Sequence, residues 1–352
     1  MSLEDLGWNP ALAAEFQPFA ESGLRAARVA IEHRGALVLY DGEDEIWADV
    51  PGRLRHRAAS TAELPAVGDW VAFRHTPQAE RATIEAVLPR RTAFLRKAAG
   101  LESVEQVVAA NVDVVFCVTS LVDDLNARRL ERYLAVAWES GAEPVVVLTK
   151  ADLCADVEAA LVQLGDVTVG VPAHVVSAVT GEGMDALSAH IAGGRTATLV
   201  GSSGVGKSTL VNRLCGSERL ATAGLRPDGR GRHTTTHREL VILATGGCLI
   251  DTPGMRELVL WEADDGLGQA FDDVEALAAE CRFRDCVHET EPGCAIRAAI
   301  AAGTLTADRF ESFRHLQREL RFLEIRHDAR ARSEERKRWR ALSKDQRARS
   351  RE

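Results

Sequence analysis

The residues most committed to chemistry are Gly201-Ser202-Ser203-Gly204-Val205-Gly206-Lys207-Ser208. Glycines let successive backbone N–H groups converge on an anion without Cβ clashes, and a helix N-terminus behind them adds favourable partial charge. A lysine and a hydroxyl closing such a loop suit a nucleoside triphosphate. Lys207 is expected to reach the β- and γ-phosphates, Ser208 to ligate Mg²⁺, and Thr209 to add a further nucleotide contact. The context fits, because the apolar run 197–200 precedes the loop and helix-prone residues 208–214 follow it. A chance glycine-rich turn is the plain alternative, but so specific a pattern arises in only about one unrelated chain in a hundred.

A second set of residues can read a base. In Thr149-Lys150-Ala151-Asp152 the lysine stem can lie along a purine face, and the Asp152 carboxylate can accept from both N1–H and the exocyclic amine of guanine. Adenine offers no donors on that edge, so the wrong base leaves a buried carboxylate unpaired. Ser177 and Ala178, after the apolar run 173–176, are placed to give a backbone N–H to the guanine carbonyl. Thr149 opens this stretch with a single hydroxyl where an Asn would carry an amide. One hydroxyl replaces an amide, so the tie from base loop to phosphate loop is expected to be weaker by on the order of 1 kcal/mol.

The γ-phosphate has its own candidates. Asp251, at the end of the strand-like run 248–250, can hold Mg²⁺ through water, and the Gly254 N–H of Asp251-Thr252-Pro253-Gly254 can face the phosphate. Met255 follows, where a water-orienting Gln would be useful, and a thioether cannot orient water. In Gly231-Arg232-His233-Thr234-Thr235-Thr236 one threonine, Thr235 by preference, is expected to ligate Mg²⁺, and His233 to place the attacking water.

Cys281-x4-Cys286-x-His288-x5-Cys294 supplies three thiolates and an imidazole, enough for a closed tetrahedral zinc shell with no position left for catalysis. Cys117, Cys154, Cys215 and Cys248 are scattered in or beside apolar runs and read as small buried hydrophobes of a reducing compartment.

These residues need elements to hold them. Between 28 and 96 short alternating runs at 28–31, 36–40, 45–50, 69–73 and 83–88 are separated by Gly-containing turns and fit a small closed β-barrel. From 104 to 262, Val- and Ile-rich runs at 112–118, 144–148, 173–176, 197–200 and 248–250 alternate with helical text at 126–140, 155–164 and 207–215, as in a doubly wound α/β domain. Residues 1–27 read as an arm with little periodicity, 263–303 as a compact zinc-binding unit, and 304–352 as a basic helical tail. No apolar run approaches the roughly 20 residues of a membrane helix, so a soluble, cytoplasmic chain is expected. A net charge of −9 excludes a surface that coats nucleic acid uniformly, whereas residues 330–352 are rich in Arg and Lys and suit a local anionic contact.

The base-reading residues precede the phosphate loop, the reverse of the order in ordinary GTPases. That rotated order, with a β-rich segment before it and a Cys/His cluster after it, resembles the circularly permuted GTPases of the RsgA (YjeQ) family. The resemblance covers about residues 28–303. It implies an OB-fold barrel over 28–98, a permuted GTPase domain over 104–262, and zinc held by Cys281, Cys286, His288 and Cys294. It also implies a monomeric GTP hydrolase that binds the 30S subunit and its 16S rRNA, is stimulated by the subunit, and assists late small-subunit maturation. The barrel's end, Arg90, Arg91, Arg96 and Lys97, and the tail arginines are expected to touch RNA phosphates. Two rivals stand beside this reading: a nucleotide-gated RNA-binding module with incidental GTP turnover, and a metabolic P-loop kinase or ATPase, which Asp152 disfavours.

Overall fold

The computed structural model describes residues 2–33, 35–76, 79–97, 105–168, 170–216, 238–244, 246–251 and 264–327. Near the N-terminus, Asn9 caps α1 (Pro10–Glu21) by accepting from the Ala11 and Leu12 N–H groups, with Pro10 at the first helical position. The segment read as an arm is therefore largely helix, and Leu6, Leu12 and Phe16 are buried. Trp8 packs edge-on against Trp70, with ring centroids 4.8 Å apart.

Next come β1 (Arg25–His33), β2 (Ala36–Tyr40), β3 (Glu45–Asp49), α2 (Gly52–Arg57), β4 (Trp70–Arg74) and β5 (Ala82–Val87). The strands run β1-β2-β3-β5-β4, and β4 pairs back onto β1. All pairings are antiparallel except β3 with β5. This closed five-strand barrel is the OB arrangement. Its interior is filled by Ala27, Val29, Leu37, Leu39, Ile46, Val71, Phe73 and Ile84, the inward half of each alternating run. Arg28 is almost fully buried and donates to the carbonyls of Gly68 (3.1 Å), Asn111 (3.0 Å) and Leu6, which fastens the N-terminal segment to the barrel.

A hairpin of β6 (Ala93–Lys97) and β7 (Glu105–Ala110) follows. The remaining strands are β8 (Val114–Ser120), β9 (Glu143–Thr149), β10 (Ala173–Val175), β11 (Thr196–Gly201), β12 (Glu239–Ile242) and β13 (Cys248–Asp251). They form a sheet in the order β10-β9-β8-β11-β13-β12, parallel except for β12. The strand that feeds the phosphate loop, β11, sits in the middle between β8 and β13. Among the helices, α3 (Ala127–Glu139) packs against β8 and β9, followed by α4 (Val157–Leu164), α5 (Met184–Ile191) and α6 (Lys207–Cys215). Val114, Phe116, Val145, Val147, Leu187, Ile191, Leu199, Leu210 and Leu249 make one core. The barrel and this sheet are continuous, because β12 pairs with β1 at Ile31 and Glu239.

The chain divides into two compact units, Met1–Val259 and Leu260–Glu352. The second holds α7 (Asp264–Ala270), α8 (Asp272–Ala279), α9 (Ala295–Ala302) and α10 (Ala307–His327). Phe271, Val274, Ile296, Phe310, Phe313, Leu316 and Leu320 form its interior. Arg309 grips both oxygens of Asp273 at 2.7 Å and lies over the Phe271 ring.

Candidate nucleotide site and metal centre

Strand register brings the described sequence-predicted residues of unit one to a single edge. Gly201 is level with Val118 across β11 and β8, Ser120 with Thr149 across β8 and β9, and Leu148 with Val175 across β9 and β10. Thr198 is level with Ile250, so Asp251 ends β13 at the same edge. This carboxyl edge, where β8 and β11 part the connections to either side, is where doubly wound sheets bind ligands.

The phosphate loop turns tightly. A Cβ at Gly201 would stand 2.4 Å from the Val118 carbonyl oxygen, so only glycine lets β11 approach β8 there. Gly206 has φ of 100° and leads directly into α6. The Lys207 ammonium donates to the carbonyls of Gly201 (2.7 Å) and Ser202 (2.5 Å), curled over its own loop. Ser203, Thr209 and Asp251 are half-buried, and Gly204 and Ser208 are exposed.

Beside it lies the base loop. Thr149 is buried, and its hydroxyl sits 2.5 Å from the Val205 carbonyl and 3.2 Å from that of Thr119. The hydroxyl thus ties base loop to phosphate loop, with one proton for two acceptors. Lys150 adopts φ of 61° and pairs with Asp123 at 2.7 Å. Asp152 is exposed in the short turn Ala151–Leu153. The Ala151 N–H donates to Val176, and Ser177, fully buried, accepts from the Thr180 N–H at 3.1 Å, which sets the Ser177-Ala178 turn against the base loop. His233, the threonines 234–236 and Gly254 lie outside the described residues.

Three neighbours of the loop had no signal in the sequence motifs. Arg129, in the first turn of α3, donates to the Ser202 hydroxyl at 2.7 Å and pairs with Asp124, and the Tyr133 hydroxyl lies 3.5 Å from the same Ser202 oxygen. At the barrel's end, Arg90 corrects an expectation. It grips Asp69 through two bonds of 2.7 and 2.8 Å and donates to the carbonyls of Ala62 and Leu64, so it faces inward and not toward a polyanion. Arg91 is half-exposed and pairs with Asp113.

In the second unit the donor atoms of Cys281, Cys286, His288 and Cys294 all lie within 4.8 Å of one another. His288 Nδ1 is 3.5 Å from Cys281 Sγ and 3.4 Å from Cys294 Sγ, and these two sulfurs are 4.0 Å apart. A tetrahedron with bonds of about 2.3 Å to sulfur and about 2.0 Å to nitrogen has edges of about 3.8 and 3.5 Å, so the donor set fits one zinc ion. Burial raises the Cys281 thiol, but the backbone N–H groups of Ala295 and Ile296 at the start of α9, together with hydrogen bonds from Cys286 and Cys294, hold it below its ordinary value. Burial keeps the His288 imidazole below its usual range, in the neutral form a metal needs.

A family model described as RsgA GTPase matches residues 87–261. A model described as ABC transporter matches residues 184–349, a span that includes the phosphate loop both kinds of protein use. The chain is 50% identical to the "Small ribosomal subunit biogenesis GTPase RsgA" of Opitutus terrae, covering 100% of this chain and 98% of that one. It is 44% identical to the protein of the same name from Streptomyces coelicolor, over 96% and 92% of the two chains. Among solved structures, YjeQ from Thermotoga maritima superposes with a TM-score of 0.63 at 27% identity, over 84% of this chain and 98% of that one. YloQ, described as a circularly permuted GTPase, shares the fold, with a TM-score of 0.60 at 22% identity over 84% and 95%. The permuted strand order, the assembled carboxyl edge and a relative matched from end to end agree: this chain belongs to the RsgA GTPase family and is a GTP hydrolase.

Proposed function

We propose that this protein is a cytoplasmic GTPase that binds the small ribosomal subunit through its rRNA, is stimulated by it, and assists its late maturation. The observation that carries the reading is the end-to-end likeness to proteins named for small-subunit biogenesis. A single sheet edge that gathers phosphate loop, base loop and Asp251 supports it.

In this reading Lys207 neutralises the β- and γ-phosphates while backbone N–H groups of residues 201–206 hold them. Ser208, Thr235 and Asp251 would hold Mg²⁺, which would supply neutralisation of phosphate charge. Asp152 accepts from the guanine edge, Lys150 leaves Asp123 to lie along the base, and the Ala178 region donates to the guanine carbonyl. Hydrolysis needs a water aligned with the γ-phosphate, and His233 aligns it. Cys281, Cys286, His288 and Cys294 hold a structural zinc ion.

The test is multiple-turnover hydrolysis of GTP and ATP, alone and with 30S, 50S or 70S particles. Turnover alone should be slow, roughly 10⁻⁴–10⁻² s⁻¹, and selective for GTP. Stimulation by 30S alone is expected. No stimulation by any particle, with GTP still bound, would instead support an RNA-binding module whose turnover is incidental.

A further inference from the structure

We propose that Arg129 is a positioning residue for GTP: its guanidinium clamps the phosphate loop through Ser202 and so completes a tie that Thr149 makes only in part. The proposal rests on the reading of residues 201–208 as the phosphate loop.

The position of Arg129 is the first reason. It sits in the opening turn of α3, which contains no acidic residue, and a cation there opposes the helix dipole. Local helix energetics therefore argue against an arginine at this place. What it gains is one hydrogen bond to Ser202 Oγ at 2.7 Å and an ion pair with Asp124.

The second reason is how Asp124 is anchored. Its backbone carbonyl accepts the Thr119 hydroxyl at 2.5 Å, and the Thr119 carbonyl lies 3.2 Å from the Thr149 hydroxyl. Thr149 in turn reaches Val205. A run of polar contacts thus leaves the phosphate loop at Ser202, passes through Arg129, Asp124, Thr119 and Thr149, and returns to the loop at Val205. Its middle member, Thr119, lies near the end of β8, which is fully buried. An asparagine at position 149 would offer two amide protons. Thr149 has one for two carbonyls, so it secures the Val205 side only, and Arg129 Nη1, which donates to both Asp124 and Ser202, secures the Ser202 side.

A residue acting this way holds the loop equally for substrate and transition state, so it lowers KM without raising kcat. Dissociation constants for a fluorescent GDP would be measured for the unaltered protein, Arg129→Ala, Ser202→Ala and the double variant. Each single change should weaken GDP by roughly tenfold, the loss of one charge-assisted hydrogen bond. The double variant should bind no more weakly than the weaker single, and KM for GTP should rise in parallel with kcat held within about twofold. Additive losses in the double variant, or Arg129→Ala binding within about twofold of the unaltered protein, would overturn the clamp. Failure of the unaltered protein to bind GDP would instead overturn the phosphate-loop reading itself. If Arg129→Ala does not fold, Ser202→Ala carries the test alone, and unchanged affinity for GDP then overturns the clamp.

Discussion

Asp152 and Thr149 stand three positions apart in one loop and differ in consequence: the first selects the base and the second holds the loop. Guanine presents N1–H and an amine to a carboxylate, whereas xanthine presents N1–H beside a carbonyl. A carboxamide at position 152 matches xanthine, with one acceptor and one donor. Asp152→Asn should therefore lose GTP affinity by about 100-fold and gain xanthosine triphosphate, as competition against labelled GDP would measure. Unchanged preference for GTP would remove Asp152 from the base site. Thr149→Val keeps shape but deletes the proton given to Val205, which costs about 1–3 kcal/mol for a buried carbonyl left without a donor. Weaker GDP binding with a native circular dichroism spectrum is the expected result.

Elements show which signals local sequence carries. Helix α6 is legible to its bounds, Lys207–Cys215, and β2 likewise, because each is an apolar-containing run bracketed by Gly, with a helical period in α6 and a continuous apolar run in β2. Helix α1 is not, since only Leu12 and Phe16 face inward and Pro18 interrupts its text; the Asn9-Pro10 start is the one cue it offers. The β6–β7 hairpin is stabilised by the pairing of its own two strands, and β12 by pairing with β13 on one side and the distant β1 on the other, and short strands of this kind are set by their partners more than by a local period. The three cysteines and histidine are legible by spacing alone, whereas Arg129 gives no motif because its role depends on α3 lying beside the loop. The metal cluster makes an element-scale prediction. It joins the end of α8 to the start of α9 through the Cys281 to Cys294 loop, and little apolar core lies within that loop. A strong zinc chelator should therefore melt helix signal from the second unit first, while GDP binding by the first unit persists. Loss of GDP binding in step with zinc release would contradict that order.

At the scale of the molecule the first unit carries one continuous sheet of eleven strands, and the seam between barrel and nucleotide sheet is narrow. Among the described residues a single pair joins β1 to β12, and Arg238 reinforces it by donating to Glu32 at 2.8 Å and to Gln106 at 3.2 Å. Barrel and nucleotide sheet should therefore unfold together, and Arg238→Ala should split or lower that transition, which differential scanning calorimetry would resolve. Contact with the ribosomal particle is a different matter, since the overall charge is −9 and Arg90 is turned inward onto Asp69. In the proposed reading cationic contacts with rRNA come from local groups, and the Arg- and Lys-rich residues 330–352, outside the described residues, are the densest source. Each phosphate they neutralise adds about 0.7–0.9 to the slope of log affinity against log salt. Deleting 330–352 should weaken 30S binding at low salt and flatten that slope by several such steps, while basal GTP turnover stays unchanged. A truncated chain with the full salt slope would assign the contact to the folded units, and the exposed side chain of Arg91 would be the next to remove.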